Sequence, residues 1–179
     1  MSPLSALFVL LSLVHPQEPR EMLATEEGLI AIDIPKGWVR SEGPGLAFFL
    51  REKDDPRKAP ACIYLSSAPI GPDEDAKTFD DFVESDINGF KRRFKNGRAE
   101  KEDDLELPRA KLKATVYTFL SGETTNAFEE IIYIPESHRV LILVLSAKTA
   151  EALASARPDL HSFAQSYSGS IVEAPAPPN

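Results

Sequence analysis

Few side chains in this sequence could make or break a covalent bond, and their spacing argues against most of the chemistries they suggest. Cys62 is the only cysteine, and the histidines are His15, His138 and His161. A thiol hydrolase would have to pair Cys62 with His138, but neither lies in a local signature of a catalytic cysteine. No G-x-S-x-G elbow presents a serine. Zinc would need carboxylates to complete its shell, because no H-x-x-x-H or H-E-x-x-H spacing exists. The histidines therefore read as surface residues, and Cys62, inside the run "ACIYLSS", reads as a buried thiol. Catalytic triads are assembled in space rather than in sequence, so a hydrolase built from distant residues stands as one alternative function. A small-ligand or metal-binding carrier is another.

Charged runs have simpler accounts. Lys91, Arg92, Arg93, Lys95 and Arg98 follow an amphipathic stripe whose first turn holds Asp80, Asp81 and Glu84. That order of charge suits a helix dipole better than a nucleic-acid footprint. The acidic run "PDEDAKTFDD" lacks the alternating oxygen ligands, central glycine and terminal glutamate of an EF-hand, and reads as a solvated loop leading into the helix. "EKEDD" at 100–104 reads as an exposed edge strand or turn. Gly43 and Gly45 flank Pro44 as in a tight turn, with no phosphate-cradling spacing.

The elements that position these groups follow from hydrophobic period. Ile30, Ile32 and Ile34 alternate with Ala31 and Asp33, giving a strand that ends at Pro35 and the Lys36–Gly37 turn. Trp38, the single tryptophan, is carried round to plug the core. Further strands are expected at 46–52, 61–68, 99–106, 110–120, 126–134 and 139–146. The last is apolar on both faces and so belongs at the centre of a sheet. The segment 110–120 turns Leu112, Ala114, Val116 and Leu120 one way and Lys111, Lys113 and Thr115 the other. On that second face Tyr117 and Phe119 form an aromatic patch, joined by Tyr133, that is expected to lie under the C-terminal helix, the alternative being a groove awaiting a ligand. Short connections such as "SGETT" and "PESH" favour antiparallel hairpins. Two helices are expected: one from Thr78 as N-cap to a stop at Gly97, the other over 150–168 with a kink or break at Pro158.

The chain opens with the uncharged apolar run Leu4 to Val14, too short to span a bilayer and of the length of a secretory leader. A buried N-terminal strand or helix is the competing reading. The expected organisation is a signal peptide over 1–17, a linker over 18–27, one domain over 28–172 and a proline-rich tail over 173–179. Net charge is −8, from 28 acidic and 20 basic side chains, and such a surface repels phosphate backbones and anionic lipid. With a single cysteine no intrachain disulfide can form.

In order, "IDIPKGW" at 32–38, a hairpin, the helix at 78–95, a strand meander, "LILVLSAKT" at 141–149 and "FAQSYSGSI" at 163–171 resemble the PsbP-like fold family. That family includes the extrinsic photosystem II subunit, a Ran-binding nuclear transport factor and bacterial DcrB-like exported proteins. The resemblance implies an α+β fold: an αβα sandwich around a central antiparallel sheet of about six or seven strands. It also implies a protein that acts by binding other proteins. It carries over no catalytic motif, and the lipobox cysteine of lipid-anchored relatives is missing. The expected function is an exported, non-enzymatic binding or accessory domain, periplasmic or extracellular, that recognises a protein partner. No nucleic acid, no cofactor, no metal, no catalytic residue and no membrane span in the mature chain are expected, and no residue is singled out for binding.

Overall fold

A computed structural model of the chain describes residues 20–25, 28–122 and 128–171; the expected leader and the expected tail lie outside them. In chain order the elements are β1 (Arg20–Thr25), β2 (Gly28–Asp33), β3 (Trp38–Ser41), β4 (Ala47–Arg51), β5 (Ala61–Pro69), α1 (Phe79–Arg93), β6 (Arg98–Lys101), β7 (Leu105–Leu107), β8 (Leu112–Leu120), β9 (Phe128–Pro135), β10 (Arg139–Ala147), α2 (Ala150–Ser166) and β11 (Ser170–Ile171).

The run "RVLILVLSA" of β10 must bury both faces, and it does so between β5 and β9. Around it forms an antiparallel sheet in the order β3-β4-β5-β10-β9-β8-β6, with β7 beside β8. These eight strands exceed the six or seven expected. Leu143 pairs with Leu65 on one side and Ile132 on the other. Its neighbours Leu141 and Leu145 share a core with Leu153, Leu160 and Phe163 of α2. Val140 and Val144 face the opposite core, with Val83, Phe82 and Phe90 of α1. The result is the expected α+β sandwich, with one helix on each face of the sheet.

Both helices start as their sequences dictate. Thr78 and Asp81 form a reciprocal capping box, and Thr149 accepts a hydrogen bond from the Ala152 amide. α1 ends earlier than expected, at Phe94. Gly97 lies beyond it, where an added Cβ would come within 2.8 Å of the Phe90 ring. α2 runs unbroken through Pro158. A mid-helix proline costs about 3 kcal/mol, whereas burying Leu153, Leu160 and Phe163 stabilises by about 1.5–3 kcal/mol each, so packing wins.

Other expectations require correction. The strand at 28–34 does not join the large sheet; β2 stands in a separate three-stranded sheet between β1 and β11. Part of the expected linker is therefore strand, with Leu23 of β1 only 2% exposed. The expected strand 99–106 is two. The Glu102 amide still donates to Val116 O at 3.0 Å, but the chain then turns through Asp103 and Asp104 so that β7 can bury Leu107 beneath α2. The aromatic patch of Tyr117, Phe119 and Tyr133 exists, but α1 covers it, through Phe82 and Phe90, and not the C-terminal helix.

Candidate functional site

The β5–β10 ladder decides the thiol–imidazole pairing. Cys62 is level with Ser146, and Pro69 with Arg139, so Cys62 and His138 lie at opposite ends of about 23 Å of strand. They cannot form a dyad. Cys62 is half-buried, not fully buried as expected, and burial followed by the charge of Glu129 pushes its thiol pKa up, away from the reactive thiolate.

His161 is no free surface residue either. It projects from α2 so that Nε2 lies 2.7 Å from Oε1 of Glu130, a carboxylate 1% exposed on β9. Arg157, one turn earlier, pairs with the other oxygen. Beside them the Thr118 hydroxyl donates to Glu102 at 2.8 Å, and an Arg157 Nη lies 3.4 Å from it. This is a carboxylate–imidazole pair of the kind that activates hydroxyls, but the Thr118 hydroxyl beside it is already committed to Glu102. The cluster neutralises a buried glutamate and ties α2 to the sheet. Among the described residues, no three His, Cys, Asp or Glu side chains converge as a metal site.

The arrangement best suited to recognition lies at the turn between β9 and β10, where "PESHR" meets the end of α2. A cleft of about 740 Å³ opens there, walled by Leu112, Pro135 and the Tyr167 ring and rimmed by exposed Ser137 and His138. Its floor is a polar knot. Arg139, 2% exposed, donates through Nε to Glu136 at 2.5 Å and through Nη2 to Ser170; Tyr167 and Ser170 both donate hydroxyls to the other oxygen of Glu136. Tyr167 is positioned by the last turn of α2, Ser170 by β11, and Glu136 and Arg139 by the hairpin. Because these groups satisfy one another, the floor is rigid and offers no general base aimed at empty space. Sequence reasoning missed all four residues; the signal available was an arginine opening a strand otherwise apolar on both faces.

The remaining sequence-marked groups are structural. Trp38 is 4% exposed, as the plug reading requires, with Nε1–H donating to Asp159 of α2 at 3.0 Å and Arg51 across its ring. Residues Lys91–Arg93 close the last turn of α1. In the acidic run Lys77 donates to the carbonyls of Pro72 and Glu74, tying the loop to itself. Gly45 takes φ +81°, and a Cβ there would sit 2.3 Å from Leu65 O, so this turn demands glycine.

No family model matches the sequence, and no curated protein matches it. Solved structures do. The solution structure of cyanobacterial PsbP (CyanoP) from Synechocystis sp. PCC 6803 is 13% identical, spans 96% of this chain and 100% of its own, and superposes with a TM-score of 0.53. The Saccharomyces cerevisiae Ran-binding protein Mog1p is 9% identical over 83% of this chain and 87% of its own, with a TM-score of 0.46. The Pseudomonas aeruginosa protein PA94 is 13% identical over 88% and 99%, with a TM-score of 0.44. The fold of this chain is PsbP-like. Among the described residues no helix is long and apolar enough to cross a membrane.

Proposed function

We propose that this chain is an exported, non-enzymatic binding or accessory domain of the DcrB-like kind, and that it recognises a protein partner through the cleft at the β9–β10 turn. The observation that carries this reading is the composition of the cleft: apolar walls over a floor whose polar groups are mutually satisfied. Such a surface gains from receiving an apolar side chain and supplies no reacting group. The uncharged apolar run Leu4 to Val14, of the length of a secretory leader, supports the export component, and an acidic net charge disfavours nucleic acid as the partner.

The test places a photo-crosslinking amino acid at Ser137, and as a control at Arg92 on the distant α1, in cells producing the tagged full chain. A discrete adduct from position 137 alone, lost when Leu112→Lys is added without change in melting temperature, supports the reading. Identical adducts from both positions, or an adduct indifferent to Leu112→Lys, overturn it. Recovery of the chain from the cytoplasm with Met1 intact removes the export component.

A further inference from the structure

A second cavity, of about 320 Å³, lies between α1 and the sheet, at the lower end of the volumes that hold small organic molecules. Its walls are of two kinds. Phe82 and Phe90 of α1, Phe119 of β8 and Tyr64 of β5 give aromatic surface, with Phe90 and Phe119 edge-to-face at 4.9 Å between centroids. Asp86 and Glu129 add two carboxylates. The Tyr133 hydroxyl donates to Asp86 at 2.5 Å, and Ser146 hydrogen-bonds Glu129, so both acids are held in place. Burial first, and the charge of Asp86 after it, raise the Glu129 pKa above the usual carboxylate range. Arg93 stands at the rim near enough to attract Glu129, but it is exposed, lies over the Phe94 ring at 5.2 Å and, among the described residues, forms no ion pair with either carboxylate.

Gly89 is the clue that this space is kept open. It sits in the C-terminal half of α1 beside the cavity, and a Cβ there would meet nothing nearer than an Arg92 nitrogen at 3.8 Å. Glycine is a poor helix former, and neither a close approach nor an unusual backbone angle requires it here. It lies in the lining of the cavity, and a side chain there would have open space to enter.

We propose that this cavity binds a small organic ammonium ion, with the charged nitrogen between Asp86 and Glu129 and its alkyl groups against Phe82, Phe90, Phe119 and Tyr64. A bare metal ion would find two carboxylates and too few further ligands. An inorganic cation would also gain little from the aromatic walls, whereas an alkylammonium both buries apolar surface and meets the negative faces of the rings. This site is separate from the cleft, so its failure leaves the partner reading standing.

The experiment is calorimetric titration of the full chain with choline, with butylammonium, and with dimethylbutanol as the neutral isostere of choline. Saturable binding of at least one cation is expected, with the isostere and the Glu129→Gln variant each weaker by about tenfold or more. Gly89→Leu should fill the cavity and abolish binding while melting no lower than the parent. No saturable binding of either cation, equal binding of the isostere, or undiminished binding by Glu129→Gln overturns the proposal. Glu129→Gln preserves shape, so it decides the matter even if Gly89→Leu folds poorly.

Discussion

Trp38 and Asp159 meet across 121 residues of sequence: the indole N–H donates to Oδ2 of Asp159 at 3.0 Å, and Arg51 reaches the same oxygen at 3.0 Å while lying over the indole at 5.3 Å. One tryptophan thus joins the edge of the large sheet to the helix on its back. Trp38→Ala should cost about 3–5 kcal/mol, because the turn at Pro35 to Gly37 cannot close over the cavity left behind. Trp38→Phe keeps most of the volume and should cost less, with the lost hydrogen bond accounting for about 1.5–3 kcal/mol. Urea titration of the two variants separates the terms, and a loss below about 1 kcal/mol for Trp38→Ala would refute the plug.

The Glu130 cluster should respond unequally to removal of its two ends. Glu130 has a side chain 1% exposed and Arg157 one 38% exposed. Removing the arginine leaves a buried carboxylate supported only by His161, whereas removing the acid leaves a cation that water can reach. Arg157→Ala should therefore destabilise by about 3 kcal/mol, and Glu130→Gln by distinctly less. Denaturant midpoints in the reverse order would refute this account of the cluster.

Glu129 sets a pH dependence. Its pKa is raised by burial, so the folded state holds the proton more tightly than the unfolded chain does. The stabilisation this brings is complete below the ordinary carboxylate pKa of about 4.3 and is lost as pH rises through the raised value. Glu129→Gln, which stays neutral, should melt higher than the parent at pH 7, with the gap closing towards about pH 4. Parallel melting curves across that range would contradict the assignment.

Tyr117 packs against Phe119 and Tyr133 under α1, with ring centroids 6.2 and 6.4 Å away. It is half-buried, whereas Phe119 is 1% exposed. Tyr117→Ala should cost about 2–4 kcal/mol and Phe119→Ala about 3–5 kcal/mol, read from urea midpoints. A Tyr117→Ala variant with an unchanged midpoint would mean that α1 does not close over this patch.

How far the fold was legible depended on how much of each segment's pattern was local. β10 announced its central place through two apolar faces, and Thr78 announced α1 through its side chain alone. β1 did not, because among its described side chains Leu23 alone enters the core, and β11 is too short to show a period. The assignment of the aromatic patch to the wrong helix had a different cause. Alternation along β8 says that two faces exist but not which helix reaches which face, and that choice is made by crossover geometry. Sites were less legible than elements. Glu136, Arg139, Tyr167 and Ser170 come from three elements, and Asp86 meets Glu129 only because α1 crosses β9; no spacing in the chain records either meeting.

β10 pairs with β5 along its whole length, and β11, the last described strand, pairs with β2, nearly the first. The strands that complete each sheet are therefore made last. A chain leaving the ribosome carries β3 to β5, α1 and β6 to β9 with the middle of the sheet missing, and β2 with one edge unmatched. Non-local pairing of this kind cannot contribute until the loops that span it are closed. Completion of each sheet is accordingly a late event that follows synthesis of β10 and β11, whereas local hairpins such as β3–β4 and β8–β9 can pair before it.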